Sequence, residues 1–162
     1  GSYYGYWAIW SLPLLNRYGG TAVLIDVNPQ VLELAEKNIK YFDFNKLCTF
    51  LEGDAIKLFT KQKLEHDFAV LDAEGPKSGP DPDMLDKAIY FPIIQASFSS
   101  LAKKGLLLCH NILLNNSMQD KNYKKMIVNN QQQFSKFLAY IEKNFSYAAD
   151  FNSTEGVGIY QK

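Results

Sequence analysis

Cysteine, histidine and net charge are all scarce in this chain of 162 residues. Its two cysteines, Cys48 and Cys109, sit in apolar, strand-like runs where a reduced thiol behaves as a small hydrophobe. That excludes a disulfide-stapled scaffold and fits a reducing, cytoplasmic compartment. Seventeen basic and 17 acidic residues cancel to a formal net charge of +0 and are interspersed along the chain. Neither a nucleic acid nor an anionic membrane finds an electrostatic footprint here. No apolar run approaches the roughly 18 residues of a membrane span, and no signal peptide is visible. The chain also lacks a G-x-G-x-x-G run, internal repeats and low-complexity segments. An Asn/Asp-Pro-Pro-aromatic run, which would hold a flipped base, is missing too. These absences leave one domain, residues 1–162, long enough to bury a core without staples, with a small molecule as its partner.

Residues 22–29, AVLIDVNP, organise what is present. Four apolar residues end in Asp26, and Asn28-Pro29 then open a helical pattern. Asn28 suits the N-cap and Pro29 the first helical position, so the Asp26 carboxylate is not needed there and is free for a ligand. An acid at a strand tip, about 20 residues after a glycine turn such as Gly1 to Gly5, is how doubly wound folds hold ribose hydroxyls.

Periodicity predicts the remaining elements. Residues 6–18 read as a helix buried on almost every side, weakened or kinked at Pro13 and stopped by Gly19-Gly20. Residues 29–42 read as an amphipathic helix with Leu32, Ala35, Ile39 and Phe42 on one stripe. Strands follow at 48–51, ending at Glu52-Gly53-Asp54-Ala55, and at 67–71, ending at Asp72, with His66 solvent-exposed before the second. Residues 74–83, EGPKSGPDPD, carry too many breakers for anything but a loop. A helix from Met84 to Leu101, bent at Pro92 and closed by Lys103-Lys104-Gly105, precedes a strand at 106–109 that ends at His110-Asn111. A long helix at 123–144 and a hairpin near 147–151 and 157–161 complete the chain. The alternation predicts an α/β, Rossmann-like, doubly wound and mainly parallel sheet with a C-terminal antiparallel hairpin. Ligands are expected beyond the carboxyl ends of its strands, where Asp26, Asp54, Asp72 and His110-Asn111 lie.

Taken in order, the pieces GSYYGY, IDVNP, EGDA, LDA, GLLLCHNIL and GVGIYQK resemble the class I S-adenosylmethionine-dependent methyltransferases. Within them the likeness is to the cation-dependent O-methyltransferases of the catechol and caffeoyl-CoA type. The resemblance implies an O-methyltransferase acting on a small hydroxylated, aromatic substrate. It implies a cofactor site of Gly1, Ser2, Gly5, Asp26, Val27, Asp54, Ala55 and Asp72, with Asp26 on the ribose and Asp54-Ala55 on the adenine. It also implies a divalent cation, Mn²⁺ or Mg²⁺, on Asp72, His110 and Asn111, gripping vicinal substrate oxygens, and a catalytic set of Asp72, Lys77 and His110.

The sequence departs from that pattern in three places. His110 stands where the family has an acid, which favours Mn²⁺ over Mg²⁺. Gly75 stands where a lysine follows the first metal acid, and Lys77 is the nearest lysine. The family's first strand precedes the glycine loop with which this chain opens, so a longer parent protein is expected. The fragment alone is then expected to fold poorly or to associate, as a homodimer for example, through an open sheet centre. Two other readings compete: a non-catalytic nucleotide-binding member of the same fold, and an NAD-dependent oxidoreductase, which shares the glycine turn and ribose acid but explains neither Asp54-Ala55 nor Asp72.

Overall fold

The computed structural model describes residues 1–115 and 121–162, which form two compact units, Gly1–Lys61 and Gln62–Lys162. The first contains helix α1 (Tyr6–Tyr18), strand β1 (Ala22–Asp26), helix α2 (Pro29–Tyr41), strand β2 (Cys48–Glu52) and helix α3 (Ala55–Lys61). β1 and β2 pair in parallel, from Ala22 opposite Cys48 to Asp26 opposite Glu52, so both acids leave the same end of the sheet. Its core is Leu12, Leu24, Leu32, Ala35 and Ile39, with Ile9, Leu15 and Phe50 packed around them. The α2 stripe read from the sequence is therefore the buried one, except that Phe42 lies past the helix as its C-cap and is exposed.

Helix α1 differs from its expected burial. Among its residues only Leu12 is fully buried, while Tyr6, Trp10, Leu14 and Tyr18 form an exposed stripe. Four residues apart, those side chains share one helical face, and a helix packed against one layer buries only the opposite face. The helix runs on through Pro13 and ends at Gly19, whose φ of 74° forms a left-handed cap donating to the Leu15 carbonyl.

The second unit holds strand β3 (His66–Leu71), helix α4 (Tyr90–Ser97), strand β4 (Leu101–His110), helices α5 (Lys121–Gln133) and α6 (Ser135–Asn144), and strands β5 (Tyr147–Phe151) and β6 (Val157–Gln161). Its sheet order is β3-β4-β6-β5. β3 and β4 are parallel, and β6 joins β4 and β5 antiparallel, which gives the α/β fold with parallel pairs and the C-terminal hairpin that the sequence predicts. Tyr90, Ile94, Leu101, Leu107, Phe134, Phe137 and Tyr160 are among its buried core.

Four expectations change here. The strand begins at Leu101 rather than 106, and Lys103-Lys104-Gly105 belong to it instead of closing a helix. Backbone bonds explain this: Lys104 N–H donates to the Lys162 carbonyl and Lys162 N–H to the Gly105 carbonyl, each at 3.0 Å, so the C-terminus holds the segment in the sheet, with Lys104 in the left-handed region at φ 67° where the pairing with β3 is irregular. Pro92 lies in the first turn of α4, where its missing N–H costs nothing, and does not bend a longer helix. The expected helix over 123–144 is two, α5 and α6, parted at the fully buried Phe134. His66 opens β3 half-buried, its Nδ1 lying 2.7 Å from the Leu64 carbonyl oxygen, rather than standing in solvent.

Candidate functional site

In the first unit the predicted cofactor residues gather at the end of β1. The Ser2 N–H donates to Asp26 Oδ2 at 2.9 Å and the Asn28 N–H to Asp26 Oδ1 at 3.0 Å. The carboxylate is therefore not free, as the sequence suggested, but aimed by two backbone donors, with further lone-pair sites on its oxygens. Asn28 caps α2 as expected, accepting from the Gln30 N–H at 3.0 Å with Pro29 behind it. The Gly1 to Gly5 segment closes a turn through Gly5 N–H to the Ser2 carbonyl at 3.1 Å. Gly5 has a φ of 81°, and a Cβ there would lie 3.3 Å from Ile39 Cδ1 and 3.4 Å from the Ala35 methyl. Glycine thus lets the turn lie directly on α2. Asn38, which the sequence reading missed, donates to the Tyr4 carbonyl at 3.0 Å and fastens the same turn. Val27 is exposed beyond β1. Asp54 Oδ1 accepts from the Ile56 N–H at 2.9 Å, which makes it the cap of α3, with Ala55 the first residue of that helix.

In the second unit, Leu71 lies opposite Cys109, and Asp72 and His110 follow side by side. His110 Nδ1 is 3.1 Å from Asp72 Oδ2, and its Nε2 is 3.5 Å from Glu155 Oε2. Gly156 holds Glu155 there. It has a φ of 78° and accepts from the Ile112 N–H, and a Cβ on it would come within 2.2 Å of the Leu113 nitrogen. The Tyr90 hydroxyl donates to the His110 carbonyl at 2.8 Å, and burial pushes the Tyr90 phenol well up. Asn111 follows in the left-handed region, φ 58°, which asparagine tolerates better than most residues. Its Oδ1 is buried without a hydrogen-bond partner among the described residues.

The loop after Asp72 folds back on itself. Gly75 N–H donates to the Asp86 carbonyl at 2.8 Å, and Asp86 N–H returns a bond to the Pro76 carbonyl at 3.1 Å. A Cβ on Gly75 would lie 2.0 Å from the Met84 carbonyl oxygen, so no lysine fits at the position where the resemblance calls for one. Lys77 does not take its place. Its exposed ammonium pairs with Glu74 and, at 3.2 Å, with Asp86. Those hydrogen bonds, Glu74 first, hold it above the ordinary lysine range, the wrong direction for a base.

The lysine beside Asp72 is Lys87, which the sequence reading overlooked. Its side chain is 11% exposed, and its Nζ lies 3.8 Å from Asp72 Oδ1. The ammonium donates to the Ala73 carbonyl at 3.0 Å and lies 5.5 Å from the Tyr90 ring centroid. Gln133 of α5 locks the backbone here, accepting from the Lys87 N–H at 2.9 Å and donating to Asp86 Oδ2 at 3.3 Å. Lys87, Asn111, Met126, Asn130, Gln133 and Glu155 help line a cavity of about 170 Å³.

The expected metal ligands fit a divalent ion poorly. Both ring nitrogens of His110 face carboxylates, and the Lys87 ammonium stands against the carboxylate that a cation would need. No three His, Cys, Asp or Glu side chains among the described residues are grouped so as to hold a metal.

Among solved structures, this arrangement of elements matches the SAH-bound methyltransferase PaMTH1 of Podospora anserina, with a TM-score of 0.73 and 16% identity. The match covers 99% of this chain and 68% of that one. The chain has a methyltransferase fold. The O-methyltransferase TomG of Streptomyces achromogenes, which takes part in tomaymycin synthesis and was solved with SAM, matches with a TM-score of 0.70 and 16% identity over 99% of this chain and 70% of its own. No protein-family model and no curated protein sequence matches this chain. The chain thus spans about two thirds of the length of each of these two structures.

Proposed function

We propose that this chain is the core of an S-adenosylmethionine-dependent O-methyltransferase that acts on a small hydroxylated acceptor. The observation that carries the reading is the Asp26 carboxylate, at the tip of β1 and aimed by the Ser2 and Asn28 N–H groups, in a chain that shares its fold with SAM- and SAH-bound methyltransferases. Asp26 would accept from the ribose hydroxyls, and the turn closed by Gly5 would lie under the methionine part of the cofactor.

S-adenosylmethionine held at Asp26 would supply the methyl group, and the Asp72–His110 pair would take the proton of the acceptor hydroxyl. The cavity in the second unit suits the acceptor. Its 170 Å³, open to solvent on one side, is enough to seat a six-membered ring, against about 150 Å³ for a site that accommodates benzene. Met126 is the single apolar side chain among the described residues that line it. The buried Asn111 Oδ1 is an acceptor for one hydroxyl.

Calorimetric titration with S-adenosylmethionine tests the cofactor half. Asp26→Ala should weaken binding by about 1–3 kcal/mol, roughly 10- to 100-fold, because it leaves ribose hydroxyls unpaired. Asp26→Asn, which keeps one acceptor oxygen for the turn, should lose less. Equal affinity in all three proteins, or tighter binding of NAD, would overturn the assignment.

A further inference from the structure

The resemblance implies a divalent cation at Asp72, and the structure puts a different positive charge there. We propose that Lys87 is the resident cation of this site, and that its ammonium, rather than a metal ion, binds and orients the acceptor oxygen.

Three observations converge on Lys87. First, the position is built: the paired Gly75 and Asp86 backbones return the chain to Asp72, and Gln133 fixes the Lys87 amide. Second, the charge is anchored at the carboxylate. The ammonium sits 3.8 Å from Asp72 Oδ1 and 3.0 Å from the Ala73 carbonyl oxygen, on a side chain only 11% exposed. A dication brought to the same carboxylate would meet a like charge with little water between them to screen it. Third, Lys87 opens onto the cavity that also holds Asn111, whose buried Oδ1 has no partner among the described residues. A hydroxyl in that cavity can turn its oxygen lone pair to Lys87, while a neighbouring hydroxyl of the same acceptor gives its hydrogen to Asn111. An ammonium supplies three donors for this purpose.

Gly75 explains why the charge arrives from so far along the chain. A side chain is sterically barred three residues after Asp72, and the loop that bars it delivers Lys87 instead. The role assigned to Lys87 rests on the methyl-transfer reading, but its effect on cation binding can be measured without any turnover.

The test is titration of the protein with MnCl₂ alone, read by the paramagnetic resonance of free Mn²⁺. The parent chain should show no saturable site, Lys87→Met should gain one ion per chain, and Lys87→Arg should again bind none. The gained site should disappear in Lys87→Met combined with Asp72→Asn. Should Lys87→Met not melt cooperatively, Lys87→Gln is read in its place, since its amide can still donate to the Ala73 carbonyl. Stoichiometric Mn²⁺ binding by the parent chain that Asp72→Asn abolishes would overturn the proposal. So would the absence of binding in both the parent and the Lys87 variant, because Lys87 would then not be what keeps the ion out. A failure of S-adenosylmethionine binding bears on the function proposed above, and the Mn²⁺ result stands apart from it.

Discussion

A Cβ at Gly75 would lie 2.0 Å from the Met84 carbonyl oxygen and 3.1 Å from the Asp86 nitrogen, both of them backbone atoms that cannot swing aside. Gly75→Ala must therefore part the Gly75–Asp86 pairing, at the cost of about 1–3 kcal/mol typical of overpacking. Urea denaturation should show a lowered midpoint, and an unchanged one would mean that the loop opens without penalty. The same residue marks the limit of what could be read before the structure. Asp26, Asp72 and His110 were legible because a buried strand ending in a polar residue is a local pattern. Lys87 was not. It is 15 positions beyond Asp72 and reaches it only through a backbone fold-back whose sole sequence mark is a glycine in a loop rich in breakers. Asp26 was legible in position but not in state, since the Ser2 N–H that binds it comes from 24 residues away.

At the scale of elements, α4, α6 and β6 meet in a cluster of rings. Tyr90 and Phe134 are 5.1 Å apart at 69°, and Phe137 and Tyr160 are 5.8 Å apart at 72°, the edge-on geometry that aromatic quadrupoles favour. Burial raises the phenols of both Tyr90 and Tyr160, and the Tyr160 hydroxyl also donates to Asp150 Oδ1 at 2.7 Å. The sign of the linkage follows: with the folded values above the unfolded value of 10.0, their contribution is complete below that pH and drains away as pH rises past it. An alkaline titration should show these two tyrosines ionising only as the fold is lost, read by tyrosinate absorbance against circular dichroism. Ionisation of every tyrosine before unfolding would contradict it. The break between α5 and α6 belongs to this cluster. Periodicity alone runs on through Phe134, Phe137 and Ile141, and no glycine or proline interrupts it, so only tertiary packing ends one helix and starts the next.

For the whole molecule, the division between Lys61 and Gln62 makes a prediction. The connecting segment carries exposed lysines at positions 61 and 63, outside either sheet. Trypsin at low dose should cut there first and release fragments matching the two units, as mass spectrometry would report. A first cut within β4, at Lys103 or Lys104, would show that the second unit is the weaker one. Fold class was the most legible property at this scale, because alternating strand and helix patterns fix it without long-range detail. The depth to which α1 is buried was not, since an apolar helix reads the same whether one face or all of it is covered.

The paired backbones of Gly75 and Asp86 also separate two traits that a simple loop would couple. Residues 76–85 form a closed excursion whose ends are pinned to each other, so their number and identity can change while Lys87 stays in register with Asp72. Lengthening such an excursion is thermodynamically cheap, about 0.6 kcal/mol for each doubling. Residues in this segment can therefore be inserted or exchanged while Lys87 keeps its place beside Asp72, which makes the excursion a natural point at which to lengthen or graft sequence.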